Sequence, residues 1–240
     1  MELAFGIVTP SKSRRRFLRK AVGQVLAQTC ADWRFVYVND GPAPASRRVF
    51  ESLAGSDERM RYLETSKACN DWGWTPRNEG VRQLARAASP LDYLVMWDDD
   101  DRVNPDALEL IRAEIVRLGR PDFLIVPVWH GDGLVPRDAG SVSAIGAGDV
   151  FSFNLVSRFD LAVKYLLESA GRGGLRGGDF LFFDCVRKCP GLRIELSRMK
   201  PIGVYDGLRP WINLRWKLGI PKLGVERIPV LNSVRRLLRG

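Results

Sequence analysis

Four adjacent carboxylates, Asp98-Asp99-Asp100-Asp101, follow directly on four apolar residues, Leu94-Val95-Met96-Trp97. Side by side the charges repel, and no solvated loop needs them together. A hard divalent cation makes such a cluster favourable, because it takes carboxylate oxygens as ligands. The plainer alternative is a solvated acidic turn, with Asn104 capping the following helix. The apolar half reads as a strand buried on both faces, and a cluster at its carboxyl end stands where open α/β sheets take ligands. Asp40 ends another strand, Trp33 to Val38. A carboxylate there can accept from a nucleobase imide or a ribose hydroxyl, and an Asx or glycine turn explains it equally well.

The elements that must position these acids follow from periodicity. Leu3 to Val8 is an apolar strand, which Thr9-Pro10-Ser11 is expected to end. Ser13 can cap a helix from Arg14 to about Ala27, with Phe17, Leu18, Ala21, Val22, Val25 and Leu26 on one face. The basic run Arg14-Arg15-Arg16 with Arg19 and Lys20 reads as the solvated face of that helix. Strand, helix, strand in this order make a βαβ unit. A short helix over Ser46 to Leu53 and a short strand over Met60 to Leu63 follow. Thr75-Pro76 starts the next helix, since proline is tolerated at the first helical position, and Arg77 and Asn78 lie in its first turn. Trp72 and Trp74 flank Gly73; they pack under the loop or form a flat platform. After the acidic cluster, a helix from Asn104-Pro105 to about Leu118 and a strand over Phe123 to Val128 are expected. From Trp129 to Gly148 the chain turns rich in Gly, Ser and Asp, which reads as loops and edge structure. A strand over Val150 to Leu155 and a helix over Asp160 to Leu167 come next. The run Gly171 to Gly178 lacks the Gly-Lys-Ser/Thr ending of a phosphate-cradling loop and is read as a mobile active-site loop. Asp179 opens a helical run after it.

The 240 residues suit one large domain, and the 45% hydrophobic share allows a sizeable core. No apolar run spans a bilayer, and the N-terminus lacks the pattern of a secretory signal. Cys30, Cys69, Cys185 and Cys189 are too few and scattered for a disulfide framework, and reduced thiols in the cytoplasm are the expectation. The lone His130 has no nearby cysteine, which argues against zinc. The net charge is +9. From Arg209 onward eight basic residues face one acid, so most of the surplus sits in the tail. The expected organisation is a domain over 1–208 and a basic amphipathic tail over 209–240. That tail either completes the core or lies peripherally on an anionic membrane. Nucleic acid ranks last as its partner, since only Trp211 and Trp216 offer stacking.

In order and spacing, Val8-Thr9-Pro10, Val38-Asn39-Asp40-Gly41, Arg77-Asn78-Glu79-Gly80, Trp97 to Asp101 with Pro105, and Gly177-Gly178-Asp179 resemble an inverting family 2 glycosyltransferase over roughly residues 1 to 190. The resemblance implies a GT-A fold: Rossmann-like α/β, with a mixed, mostly parallel sheet flanked by helices, followed here by the basic extension. It implies that Thr9 and Pro10 line the nucleotide pocket, Asp40 contacts the base, Arg77 lies beside the nucleotide, and Asp98 and Asp99 face the donor. Asp100 would bind a Mn2+ or Mg2+ ion that bridges the diphosphate, and Asp179 would be the general base. The donor is then a nucleotide-diphosphate sugar, UDP-linked by preference, and the acceptor a glycan or lipid-linked hydroxyl in cell-surface glycan synthesis. The family often has Glu-Asp where this chain has Gly178-Asp179, and many GT-A enzymes use a late histidine that is absent here. Asp206 is a possible substitute ligand or a plain turn residue. The alternative function is a non-catalytic module of the same fold that binds a nucleotide sugar or an acidic partner.

Overall fold

The structure, a computed structural model, describes residues 3–87, 89–130, 133–137, 140–146, 149–169 and 178–205. The glycine-rich loop around Arg172 and Arg176, Asp206, and the tail 209–240 lie outside these residues.

The first part alternates strand and helix: β1 (Phe5–Ser11), α1 (Arg15–Leu26), β2 (Trp33–Asn39), α2 (Pro44–Ala54), β3 (Met60–Glu64), α3 (Trp74–Ala85) and β4 (Tyr93–Met96). The second part is more broken. It comprises β5 (Arg102–Val103), α4 (Ala107–Arg117), β6 (Phe123–Ile125), β7 (Val128–His130), β8 (Gly133–Val135), β9 (Leu155–Arg158), α5 (Phe159–Ser169), α6 (Gly178–Val186), β10 (Ile194–Leu196) and β11 (Gly203–Val204). Among the described residues the main sheet has seven strands in the order β10-β6-β9-β4-β1-β2-β3. Only β9 runs antiparallel to its neighbours β4 and β6. A small sheet, β5-β11-β7-β8, lies apart from it.

Strand residues divide by parity between two cores, as a period of two requires. Phe5, Ile7, Phe35, Tyr37, Val95 and Trp97 face one way, and meet Leu18, Val22 and Val25 of α1, Phe50 of α2 and Ile111 of α4. Val8, Val36, Val38, Leu94 and Met96 face the other way, and meet Val81 and Leu84 of α3, Leu166 of α5 and Phe183 of α6. The result is a sheet covered on both faces. The order turns back at β1, which has β2 on one side and β4 on the other. In open sheets of this kind ligands bind in the crevice outside the carboxyl ends of the strands at the switch point, here those of β1 and β4.

Several boundaries differ from expectation, each for a local reason. Pro10 does not end β1, which stays paired to β2 through Ser11. The backbone groups of Val8 face β4, which accounts for its carbonyl accepting from Trp97 N–H. Those of Pro10, two residues on, face the same side, where pairing with β4 stops at Val8. The N–H that proline lacks therefore has no strand to serve there. Ser13 does not cap α1: its φ is +55°, and its N–H donates to Asn39 Oδ1 at 2.7 Å. The strand expected over Phe123 to Val128 divides at Pro127, and Val128 onward joins the small sheet. The strand expected from Val150 begins only at Leu155, because Asn154 folds the preceding residues into one turn. Its Oδ1 accepts from Phe151 N–H at 2.8 Å and its Nδ2 donates to the Asp149 carbonyl at 2.9 Å.

Candidate functional site

The acidic turn closes on itself. Asp101 N–H donates to the Asp98 carbonyl at 3.1 Å, and the Asp101 carboxylate takes the Asp98 N–H at 2.8 Å. Gln24 of α1 braces the turn from outside, donating to the Asp101 carbonyl at 3.1 Å and accepting from Val103 N–H at 3.0 Å. Asp101 is thus spent on the backbone of the turn.

The other three acids sit in different surroundings. Asp99 is fully buried. It accepts from Ser11 Oγ at 2.5 Å and from Arg14 Nε at 3.1 Å, and a second Arg14 nitrogen reaches its other oxygen. Burial pushes its carboxyl up to about 7, with Arg14 and Ser11 pulling the other way. Asp100 is buried and pairs with Arg14 Nη1 at 2.9 Å. Asp98 is half-buried and pairs with Arg77 Nη2 at 2.6 Å. Burial raises its carboxyl, the Arg77 charge opposes that, and the charges of Asp179 and Asp100 add to it.

Arg77 is the hub. It is buried in the first turn of α3. Burial alone would lower the guanidinium, but Asp98 and Asp179 outweigh it and hold it above its ordinary value. Its Nη1 donates to the Trp72 carbonyl at 2.9 Å and its Nη2 also reaches Ser152 Oγ at 3.3 Å. Its Nε is buried and has no partner among the described residues. Asp179 stands in the first turn of α6, and its charge is felt by both Arg77 and Asp98. Residues from opposite halves of the chain therefore share one electrostatic site.

Thr9 and Pro10 are buried at the carboxyl end of β1. Asp40, at the end of β2, spends its carboxylate on a neighbouring loop. Oδ1 accepts from Cys69 N–H at 2.7 Å and Oδ2 from Asn70 N–H at 3.0 Å. The two tryptophans separate: Trp74 packs in the core, whereas Trp72 is 67% exposed. The sequence reading gave no site role to Ser11, Gln24 or Ser152, and it put Arg14 on the solvated face of α1, whereas Arg14 turns to the acidic turn and pairs with Asp99 and Asp100. Arg14 had a signal, its place at the strand-to-helix junction as the first residue of the basic run. Arg15, Arg16, Arg19 and Lys20 are the exposed face expected of them.

No group of three or more His, Cys, Asp or Glu side chains among the described residues is arranged to hold a metal ion. The donor set still fits a cation that arrives with a diphosphate, because such ions take one or two carboxylates and complete their shell with phosphate oxygens and water. Asp98 and Asp100 are hard oxygen donors within one turn. Asp100 already holds a cation, the Arg14 guanidinium.

Residues 6–146 match the family model described as Glycosyl transferase family 2. Glycosyltransferase GlyA of Streptococcus pneumoniae serotype 4 is 26% identical over 110 residues, 46% of this chain and 15% of that protein. S. aureus TarS 1-349, solved in complex with UDP-GlcNAc, superposes with a TM-score of 0.64 at 14% identity, over 85% of this chain and 58% of that one. Mannosyltransferase PcManGT from Pyrobaculum calidifontis, solved with GDP-Man and Mn2+, gives 0.59 at 13% identity, over 93% of this chain and 59% of that one. The chain spans a small part of the curated relative and less than two thirds of either solved structure, and at such identity the two structural matches speak for the fold alone. The family model covers more than half of the chain, and the sheet it covers carries the acidic turn at its switch point: this chain belongs to glycosyl transferase family 2.

Proposed function

We propose that this chain transfers a sugar from a nucleotide-diphosphate sugar to an acceptor hydroxyl, with inversion at the anomeric carbon. The observation that carries the reading is the position of Asp179. It is brought from far along the chain to the Arg77–Asp98 pair, yet it is not part of the acidic turn. A carboxylate committed to a cation cannot also take a proton, so a separate acid is needed for that work. Asp179 is the base, Arg77 and Asp98 orient the donor, and Asp100 with the diphosphate would hold a Mn2+ or Mg2+ ion. When bound, that ion supplies Lewis-acid stabilisation of the charge on the departing diphosphate.

The step balances with these groups. The acceptor oxygen forms a bond to the anomeric carbon as the bond from that carbon to the diphosphate oxygen breaks. The acceptor proton passes to the Asp179 carboxylate, and the nucleoside diphosphate leaves with the bonding pair. Buried Arg77 holds the Asp98 carboxylate at 2.6 Å and offsets part of the negative charge that the acids bring to the site. A UDP-linked donor and a glycan or lipid-linked acceptor are the favoured substrates; the UDP-GlcNAc of TarS supports the donor class and the Mn2+ of PcManGT supports the ion.

Replacing Asp179 with Asn preserves shape and removes basicity. Turnover should fall by roughly two to four orders of magnitude, while nucleoside diphosphate affinity, followed by calorimetry, stays close to wild type. Turnover within a few-fold of wild type rules Asp179 out as the base. If the wild-type chain binds nucleotide sugars with Mn2+ but neither transfers nor hydrolyses them, it is a binding module.

A further inference from the structure

Trp72 carries the most exposed of the large apolar side chains among the described residues, at 67%. Its backbone is left-handed, with φ of +60°, between Asn70 at +54° and Gly73 at +84°. Left-handed backbone is unfavourable for a bulky residue and persists only where surrounding contacts over-determine it. Here they do. Asp40 accepts the N–H groups of Cys69 and Asn70, and Lys12 reaches Asn70 Oδ1. Asp71 Oδ2 accepts from Thr75 N–H at 2.9 Å and from Thr75 Oγ1 at 2.6 Å. Arg77 holds the Trp72 carbonyl while its other nitrogen holds Asp98. Gly73 lies against β1, so close that an added Cβ would stand 3.2 Å from Pro10 Cβ.

Several hydrogen bonds thus fix a loop whose one large side chain points to water. The residues that fix it, Pro10, Asp40 and Arg77, stand at the carboxyl ends of β1 and β2 and the start of α3, around the crevice. A rigid, exposed indole at the rim of a nucleotide site is suited to one task, since aromatic faces stack on bases of any kind. We propose that Trp72 is the stacking wall for the base of the nucleotide, and that Asp40 is a positioning residue that acts through the Trp72 loop. The inference rests on the donor reading above. It gives base recognition a flat, base-tolerant surface beside a carboxylate whose two oxygens each accept an N–H of the loop.

The test uses the full chain with Mn2+, and titrates UDP, GDP and inorganic pyrophosphate by calorimetry. Trp72→Ala should weaken UDP and GDP by about 5- to 100-fold, Trp72→Phe should retain most of the affinity, and pyrophosphate should bind all three forms alike. Unfolding midpoints should be unchanged, because the ring is exposed. Asp40→Asn should weaken UDP in the wild-type background and have little further effect in Trp72→Ala, the non-additivity expected when one residue acts through another. Equal UDP affinity in Trp72→Ala and wild type overturns the proposal while leaving the donor reading standing. So does an equal loss for pyrophosphate, which would make Trp72 a structural residue. Additive losses for Asp40 and Trp72 overturn the positioning role. If the wild type binds neither UDP nor GDP, both the proposal and the donor reading fall.

Discussion

Between Phe5 and Met96 the main-sheet strands are all parallel, and β1, β2 and β3 are each followed by a helix of 11 or 12 residues. From Arg102 onward the strands are two to four residues long, and β9 enters the sheet antiparallel. The first region positions its site residues by repetition. Thr9, Asp40 and Asp98 stand in or just beyond the ends of neighbouring strands, so ladder register alone places them together. The second region delivers Ser152 and Asp179 from a short turn and a helix start. Their place depends on packing against the first region. Arg77 joins the two, and the difference between them should show in how each responds to a single substitution.

The largest effect is expected at that junction. Arg77→Ala removes a buried guanidinium and leaves the half-buried Asp98 without its cation, which should cost about 3–5 kcal/mol in urea unfolding. Part of the loss should return on acidification. Asp98 has a raised carboxyl in the folded state, so the cost of its charge grows as pH rises above the unfolded range and shrinks as pH falls. A loss that does not vary with pH would mean that Arg77 works by packing alone.

A smaller loss is expected inside the repeating region. Gly80 of α3 lies so close to β1 that a Cβ there would stand 2.5 Å from Val8 Cγ1 and 3.2 Å from Val38 Cγ2. Gly80→Ala should cost roughly 1–3 kcal/mol by overpacking. An unchanged unfolding midpoint would show that α3 is free to shift, and that the first region is less closely packed than its parallel ladders suggest.

The smallest effect tests the second region. Glu114 of α4 accepts from Arg117 Nε at 2.7 Å and from Ser197 Oγ, just past β10, at 2.5 Å. The Arg117 bond, with that from Ser197, holds its carboxyl below the usual range against the effect of burial. A depressed acid contributes stability above its unfolded value and loses it as pH falls through the folded value. Glu114→Gln should therefore cost about 1 kcal/mol at pH 7, and the gap to wild type should close as pH drops below about 4. A gap that is constant down to low pH would assign the effect to shape rather than charge.

The alternation of apolar strands with amphipathic helices was legible because it is local: it is written in periods of two and 3.6 along the chain. The acidic turn, Asp40, Arg77 and Asp179 were legible as residue types at recognisable spacings. The break at Pro127 and the passage of β1 through Pro10 were not, since each depends on whether a neighbouring strand is there to be paired, and the break at Asn154 was not, since it depends on which backbone groups that side chain takes. Asp99 shows the same limit within the site. Sequence places it beside Asp98 as a donor-facing acid, and only its contacts with Ser11 and Arg14 set it apart.

By itself, then, the sequence determined the βα order, the two-faced core and the candidate acids, because hydrophobic period and covalent adjacency need no partner to be read. The tertiary structure decided what each side chain meets. It alone separated Trp72 from Trp74, turned the Asp40 carboxylate toward the loop, set Arg14 against the acidic turn and carried Asp179 to Arg77. Those outcomes depend on distances between segments far apart in the chain, and such distances exist only once the sheet has closed.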